Sequence, residues 1–137
     1  MTPKVKTDFT VNYYNRRYGV KNGSFDETII NYDLLKERDY YNTSQYSAYL
    51  YGDHAVISIT NNLAMNDFKI LVIGDSFSSS IVPFLAMGVK QIDKIDNRYF
   101  NGSIESYVEK NKPDMIIVEY NAAIFSTNSV NETFDFS

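Results

Sequence analysis

The sequence predicts an α/β fold: a three-layer core with a mainly parallel sheet, preceded by an N-terminal β-hairpin or irregular addition. Two observations carry the prediction. Residues 69–74 (KILVIG) and 114–120 (DMIIVEY) are short, nearly continuous apolar runs, as in strands buried on both faces, and 89–96 is a strand-length segment between them. The intervening stretches have helical spacing, and strand–helix–strand–helix–strand at this pitch implies right-handed crossovers between parallel strands.

The elements follow in order. Phe9-Thr-Val-Asn-Tyr-Tyr14 is rich in β-branched and aromatic residues, and Asn22-Gly23 before Phe25-Asp-Glu-Thr-Ile-Ile30 is a tight-turn signal. A β-hairpin, or a strand followed by a short helix, is expected there. Residues 40–51 hold Tyr40, Tyr41, Tyr46, Tyr49 and Tyr51; these rings read either as half-buried packing at a sheet edge or as a sugar-stacking platform, and packing is the preferred reading. Residues 55–60 alternate as a strand does. From 77 to 88 the apolar residues Phe77, Ile81, Phe84, Leu85 and Met87 suit one helix face that Gly88 stops, while Pro83 implies a kink or a helix that begins near Ile81. Ser103 is an N-cap for a helix over 103–111, which Pro113 ends.

Composition bounds the function. The 137 residues make one domain, with 1–60 as the addition and 61–137 as the βαβαβ core. Thirteen Lys and Arg against 17 Asp and Glu give a net charge of −4, scattered along the chain, which argues against a nucleic-acid partner. No window reaches the roughly 18 apolar residues of a membrane span, and the N-terminus lacks a signal-peptide core. The absence of cysteine excludes disulfides, thiolate metal sites and cysteine nucleophiles, and the single histidine is His54. No metal or organic cofactor is implied.

In open α/β sheets, ligands sit beyond the carboxyl ends of the strands, so the loops after Gly74, Asp96 and Tyr120 matter most. The first reads Gly74-Asp75-Ser76-Phe77. A serine where a buried strand turns into a helix projects its hydroxyl above the sheet edge, beside backbone N–H groups able to hold an oxyanion. Ser76 is therefore a candidate nucleophile, with a simple N-cap as the alternative. The absence of a Gly-rich phosphate loop in 76–80 argues against a nucleotide site.

The block 69–84, KILVIGDSFSSSIVPF, resembles the first motif of the SGNH hydrolase superfamily, in the variant of its DHHW and alginate O-acetyltransferase-like branch; Ile95-Asp-Asn-Arg-Tyr-Phe100 and Asn111-Lys-Pro-Asp-Met-Ile-Ile-Val118 follow in matching order. The resemblance covers about residues 40–125. It implies a flavodoxin-like three-layer α/β/α core, a serine nucleophile, and ester chemistry on acylated carbohydrate outside the cytoplasm. Residue by residue, Ser76 matches the nucleophile and an oxyanion donor. Asn121 is the better second donor and Gly102 the poorer, because Tyr120-Asn121-Ala122 lacks the family's Gly-x-Asn-Asp context. Asp75 and Arg98 are possible binding residues, Arg98 equally a structural ion pair with Asp75 or Asp96.

The departure from the family is the general base. Residues 121–137 contain no histidine, and the Asp-His pair that this branch places before the serine motif is absent. Asp53-His54 is the only substitute, and neighbours on a strand point to opposite faces. The expectation is therefore the C-terminal portion of a longer secreted or membrane-anchored protein, inactive or nearly so alone. Two functions remain: a serine-dependent acyl-ester hydrolase or O-acetyltransferase on cell-surface carbohydrate, and a non-catalytic carbohydrate-binding or assembly module with a relic Gly-Asp-Ser turn.

Overall fold

The computed structural model describes residues 5–36 and 45–122. Tyr40, Tyr41 and the tail from residue 123 lie outside the described residues. Six strands form one sheet: β1 (Phe9–Asn12), β2 (Val20–Gly23), β3 (Val56–Asn61), β4 (Lys69–Gly74), β5 (Gln91–Asp96) and β6 (Met115–Glu119), in the order β2-β1-β3-β5-β4-β6. The helices are α1 (Phe25–Thr28), α2 (Tyr32–Lys36), α3 (Val82–Ala86) and α4 (Ile104–Asn111), with 3-10 turns at Gln45–Ala48 and Ser76–Ser80.

The second half follows its sequence pattern. β4 pairs in parallel with β5 and β6, and α3 and α4 make the two crossovers. Pro83 stands in the first turn of α3, which starts after Ile81 because proline's fixed φ and missing N–H suit that position. Ser103 Oγ accepts from Ser106 N–H at 3.1 Å and caps α4.

The sheet is mixed rather than mainly parallel. β1 is antiparallel to β2 and β3, and β3 is antiparallel to β5. The connection 13–19 is too short for the crossover that a parallel pair requires. The predicted hairpin is present, but Asn22-Gly23 lies inside β2; Asn15 closes the turn instead, accepting from Tyr18 N–H through Oδ1 at 2.8 Å and from Gly19 N–H through its carbonyl at 3.0 Å. Through β3, the strands β1 and β2 join the same sheet.

Two apolar clusters cover the faces. Phe9, Val11, Ile57, Ile59, Ile70, Val72 and Ile92 pack with Val82 and Ala86 of α3; on the other face Leu71, Ile73 and Ile95 pack with Ile104 of α4, with Tyr107 and Val108 against them. The carboxyl ends of β4, β5 and β6 and the start of β3 share one rim.

Candidate functional site

The rim is organised around Gly74. A Cβ there would overlap the carbonyl oxygen of Glu119 on β6 and lie 3.2 Å from Ser78 Oγ, so β4 and β6 close on one another only because residue 74 has no side chain. Asp75 follows, buried, and both its oxygens are used. Oδ1 accepts from Phe77 N–H at 2.9 Å and caps the 3-10 turn, and Oδ2 accepts from Asn121 N–H at 2.9 Å. Ser78 Oγ donates to Asp75 O at 2.7 Å. Ser76 stands half-buried at the first position of this turn, and Asp75 ties it to Asn121 beyond β6. Asp75 is thus a fastening rather than a side chain left open to a ligand.

At the end of β5 the charges are dense. Asp96 is fully buried and accepts from Arg98 Nε at 2.9 Å, Arg98 Nη2 at 2.7 Å and Arg98 N–H at 3.1 Å. Arg98 Nη2 also reaches Asp53 at 3.3 Å, and its guanidinium lies over the Tyr99 ring at 5.1 Å. Hydrogen bonding to Asp96 holds the Arg98 pKa well above its ordinary value. Of the two expected ion-pair partners, Asp96 is the one it takes.

Four residues outside the predicted site set belong to the same rim. Lys94 is 1% exposed, its Nζ lies 3.9 Å from Asp96 Oδ2, and it has no hydrogen-bond partner. Burial lowers its pKa, and Asp96 then partly restores it. Asp96 itself is the second. Glu119 is the third: its Oε2 is buried with no hydrogen-bond partner, and burial, then Asp75, raise its pKa. Tyr120 is the fourth; burial, then Asp96 and Asp75, push its phenol up to about 12, so the neutral form persists. The available signal was charged residues inside the strand Ile92-Asp93-Lys94-Ile95-Asp96.

His54 is held by contacts at both ring nitrogens. Its Nδ1 is 2.8 Å from Asn15 Nδ2 and its Nε2 is 3.1 Å from Leu50 O. The amide must donate and the carbonyl must accept, so the ring is the neutral Nε2–H tautomer with both nitrogens engaged. Tyr13 and Tyr18 pack on it, and burial lowers its pKa. Asp53 faces Arg98. Gly102 is exposed, and a side chain there would meet the Phe100 ring.

The described tyrosines of the 40–51 stretch, Tyr46, Tyr49 and Tyr51, take separate places. Tyr46 stacks on Phe77 at 5.9 Å, Tyr49 packs near Phe84 at 6.4 Å, and Tyr51 joins Tyr13 and Tyr18. A separate cleft of about 770 Å³ opens at the rim, lined among others by Tyr14, Asn15, Asp53, His54, Tyr99 and Lys110, but not by Ser76. Tyr14 and Tyr99 are half-exposed or more, and Tyr14 holds a left-handed backbone (φ 49°). Among the described residues, no group of three or more His, Asp or Glu is arranged to hold a metal ion, and no helix is long and apolar enough to cross a membrane.

No protein-family model matches the chain, and no curated protein matches it. Solved structures do. Two structures of PatB1 from Bacillus cereus, one with a sulfonyl adduct, are similar at 26% identity with TM-scores of 0.64 for the adduct and 0.65 for the other. Each alignment covers 97% of this chain and 40% of PatB1. A DHHW family protein from Eubacterium siraeum shares the fold at a TM-score of 0.61 and 16% identity, over 96% of this chain and 40% of that one. The chain therefore spans 40% of the length of these proteins.

Proposed function

We propose that this chain is the nucleophile-bearing portion of an SGNH-type acyl-ester hydrolase or O-acetyltransferase that acts on cell-surface carbohydrate outside the cytoplasm, and that its core is the flavodoxin-like one of that superfamily. The observation that carries the reading is Ser76 at the carboxyl end of the buried parallel strand β4, on a turn whose Asp75 carboxylate pins Asn121 beside it. The likeness to PatB1 supports it, since a sulfonyl electrophile is captured by an activated nucleophile as an acyl group is.

In this reading Ser76 Oγ attacks the ester carbonyl carbon and its proton passes to a base. The tetrahedral oxyanion accepts hydrogen bonds from the N–H of Ser76 and from Asn121. Collapse breaks the ester C–O bond, the leaving alkoxide takes the proton, and the acyl group on Ser76 passes to water or to a sugar hydroxyl. This reading assigns the base to a group other than His54, whose ring nitrogens are both engaged. It comes from outside these 137 residues, and the chain alone is then inactive or nearly so.

A second reading, a non-catalytic carbohydrate-binding module, is favoured by that occupied imidazole and by the tyrosine-lined cleft. A fluorophosphonate probe and a chromogenic acetyl ester, applied to the polypeptide extended to its full coding length, separate the two. Labelling and hydrolysis that vanish in Ser76→Ala support the enzyme. Equal rates in wild type and Ser76→Ala, or no labelling of either, leave the binding module.

A further inference from the structure

We infer that the cleft beside Tyr14 and Tyr99 is a saccharide-binding site, separate from the serine turn. Its volume of about 770 Å³ suits a small ligand. Tyr107 and Lys110 of α4 form one side, Tyr14 and Asn15 beyond the end of β1 form another, and Asp53 and Val56 at the start of β3 complete it.

Tyr14 carries the inference. Its backbone is left-handed, with φ 49°, a conformation that strains a bulky side chain and that glycine adopts freely. Asn12 Oδ1 accepts the Tyr14 N–H at 2.9 Å, so the turn itself asks position 14 only for a backbone amide. The ring is 62% exposed, and packing does not offset the strain. Both neighbours are anchored: Tyr13 OH donates to Thr28 O at 2.6 Å, and Asn15 Nδ2 donates to His54 Nδ1 at 2.8 Å. A strained, exposed ring is thus held at the cleft on a fixed support. Tyr99, 50% exposed, is the second such ring, with the Arg98 guanidinium over it at 5.1 Å.

The lining selects the ligand. An exposed tyrosine has an apolar ring face and a polar hydroxyl, which match the C–H face and the hydroxyl edge of a sugar. A polyanion needs concentrated positive charge, and here Lys110 shares the cleft with the carboxylate of Asp53. Beyond Val56, the apolar residues of β1 and β3 belong to the cluster under α3, so Thr10, Asn12, Ser58 and Thr60 alternate onto the α4 face. Such a surface of hydroxyls and amides takes a hydrogen-bonding ligand, whereas a further protein layer requires an apolar one.

The cleft and Ser76 are linked along the rim. Asp53 lies 3.3 Å from Arg98, Arg98 clasps Asp96, and Asp96 registers with Gly74, two residues before Ser76. The start of β3 and the end of β4 are two strand spacings apart, on the order of 10 Å. A glycan seated on Tyr14 and Tyr99 would extend over Arg98 toward Ser76. That consequence rests on the reading of Ser76 as nucleophile; the binding does not.

Amide NMR titration of the 137-residue chain with cellotetraose and with chitotetraose tests it, with glycerol as the control for any polyol. At least one of the two sugars is expected to shift the amides of Tyr14, Tyr99 and Lys110 with a dissociation constant of about 1 mM or below, and glycerol to shift none. Tyr14→Gly should abolish the shifts at Tyr99 and Lys110 while Tm holds or rises, because glycine relieves the backbone. Tyr14→Phe should keep them, and Tyr99→Ala should weaken binding about fivefold. No shift with either sugar, shifts that glycerol reproduces, or a Tyr14→Gly variant that binds like the parent would overturn the inference. So would a Tyr14→Gly variant whose Tm falls by more than about 5 °C, since the ring would then be structural. Fluorophosphonate labelling of the polypeptide extended to its full coding length separates the two readings. Binding without labelling keeps the cleft and removes the nucleophile; labelling without binding does the reverse.

Discussion

Gly74→Ala is the sharpest test of how the rim is built. The added methyl would overlap the Glu119 carbonyl oxygen, which belongs to the backbone of a paired strand and has no rotamer to escape into. Relief requires β4 and β6 to part by on the order of 1 Å at their carboxyl ends, which also strains the Asp75–Asn121 hydrogen bond of 2.9 Å. Overpacking costs about 1–3 kcal/mol, and the loss of a charge-assisted bond puts this case at about 3 kcal/mol. At about 3–5 °C per kcal/mol for a chain of this size, Tm should fall by roughly 10–15 °C. A protein of this length has about 7–20 kcal/mol of stability, so the variant still folds. Thermal and urea denaturation followed by circular dichroism read the loss. Gly88→Ala is the control: its backbone is not left-handed and the nearest atom to its added carbon is Leu85 O at 3.7 Å, so it should be neutral or slightly stabilising. A Gly74→Ala variant within 2 °C of the parent, or one no worse than Gly88→Ala, would show that the close approach of β4 and β6 does not constrain the turn.

Four further substitutions probe the charges. Asp96→Asn strands a buried ammonium and weakens the Arg98 clasp, at a cost of about 3–5 kcal/mol, whereas Lys94→Met removes a cation with no hydrogen-bond partner and leaves Asp96 with Arg98, for a change of under about 1 kcal/mol; the reverse order in urea denaturation at pH 7 would refute this account. Glu119 has a folded pKa raised by burial and Asp75, so the folded state holds its proton more tightly, and the stability this gives is full below about pH 4 and lost as pH rises through the folded pKa. Glu119→Gln should therefore match the parent in Tm near pH 4 and exceed it at pH 7; an equal Tm at both would sink the assignment. His54 has a depressed folded pKa, so its contribution is present above about pH 6.5 and lost as acid charges the ring. His54→Leu should cost about 2 kcal/mol at pH 7 through the stranded Asn15 amide and Leu50 carbonyl, flatten the acid-side Tm profile, and leave labelling of Ser76 in the extended protein unchanged.

What was legible in the sequence was local. KILVIG announces a buried strand within six residues, and Pro83, Ser103 and Pro113 punctuate α3 and α4 by chemistry confined to one turn. The errors arose where a distant partner outweighed a local signal. Asn22-Gly23 has the preference for a tight turn, but Asn15 closes the chain seven positions earlier and leaves the pair to extend along β1. β3 alternates as it should, yet nothing within it says that it pairs antiparallel to β5, thirty-five positions on at Ser58 and Asp93.

The site divides in the same way. The position of Ser76 at the end of β4 was readable because strand, turn and hydroxyl are consecutive. Its surroundings were not: the Asp75–Asn121 tie spans 46 positions and the Arg98–Asp53 pair 45. His54 illustrates the limit best. As the only imidazole it was the natural candidate for a base, and the two contacts that occupy its ring come from Asn15, 39 positions away, and from the carbonyl of Leu50, whose left-handed φ of 53° belongs to a turn the sequence does not advertise. A nucleophile can be encoded by a tripeptide, but its activation requires a second group held at hydrogen-bond distance from another part of the chain. The tripeptide that puts Ser76 at the start of its turn is consecutive in the chain, whereas any group that would activate it has to be brought there by the fold.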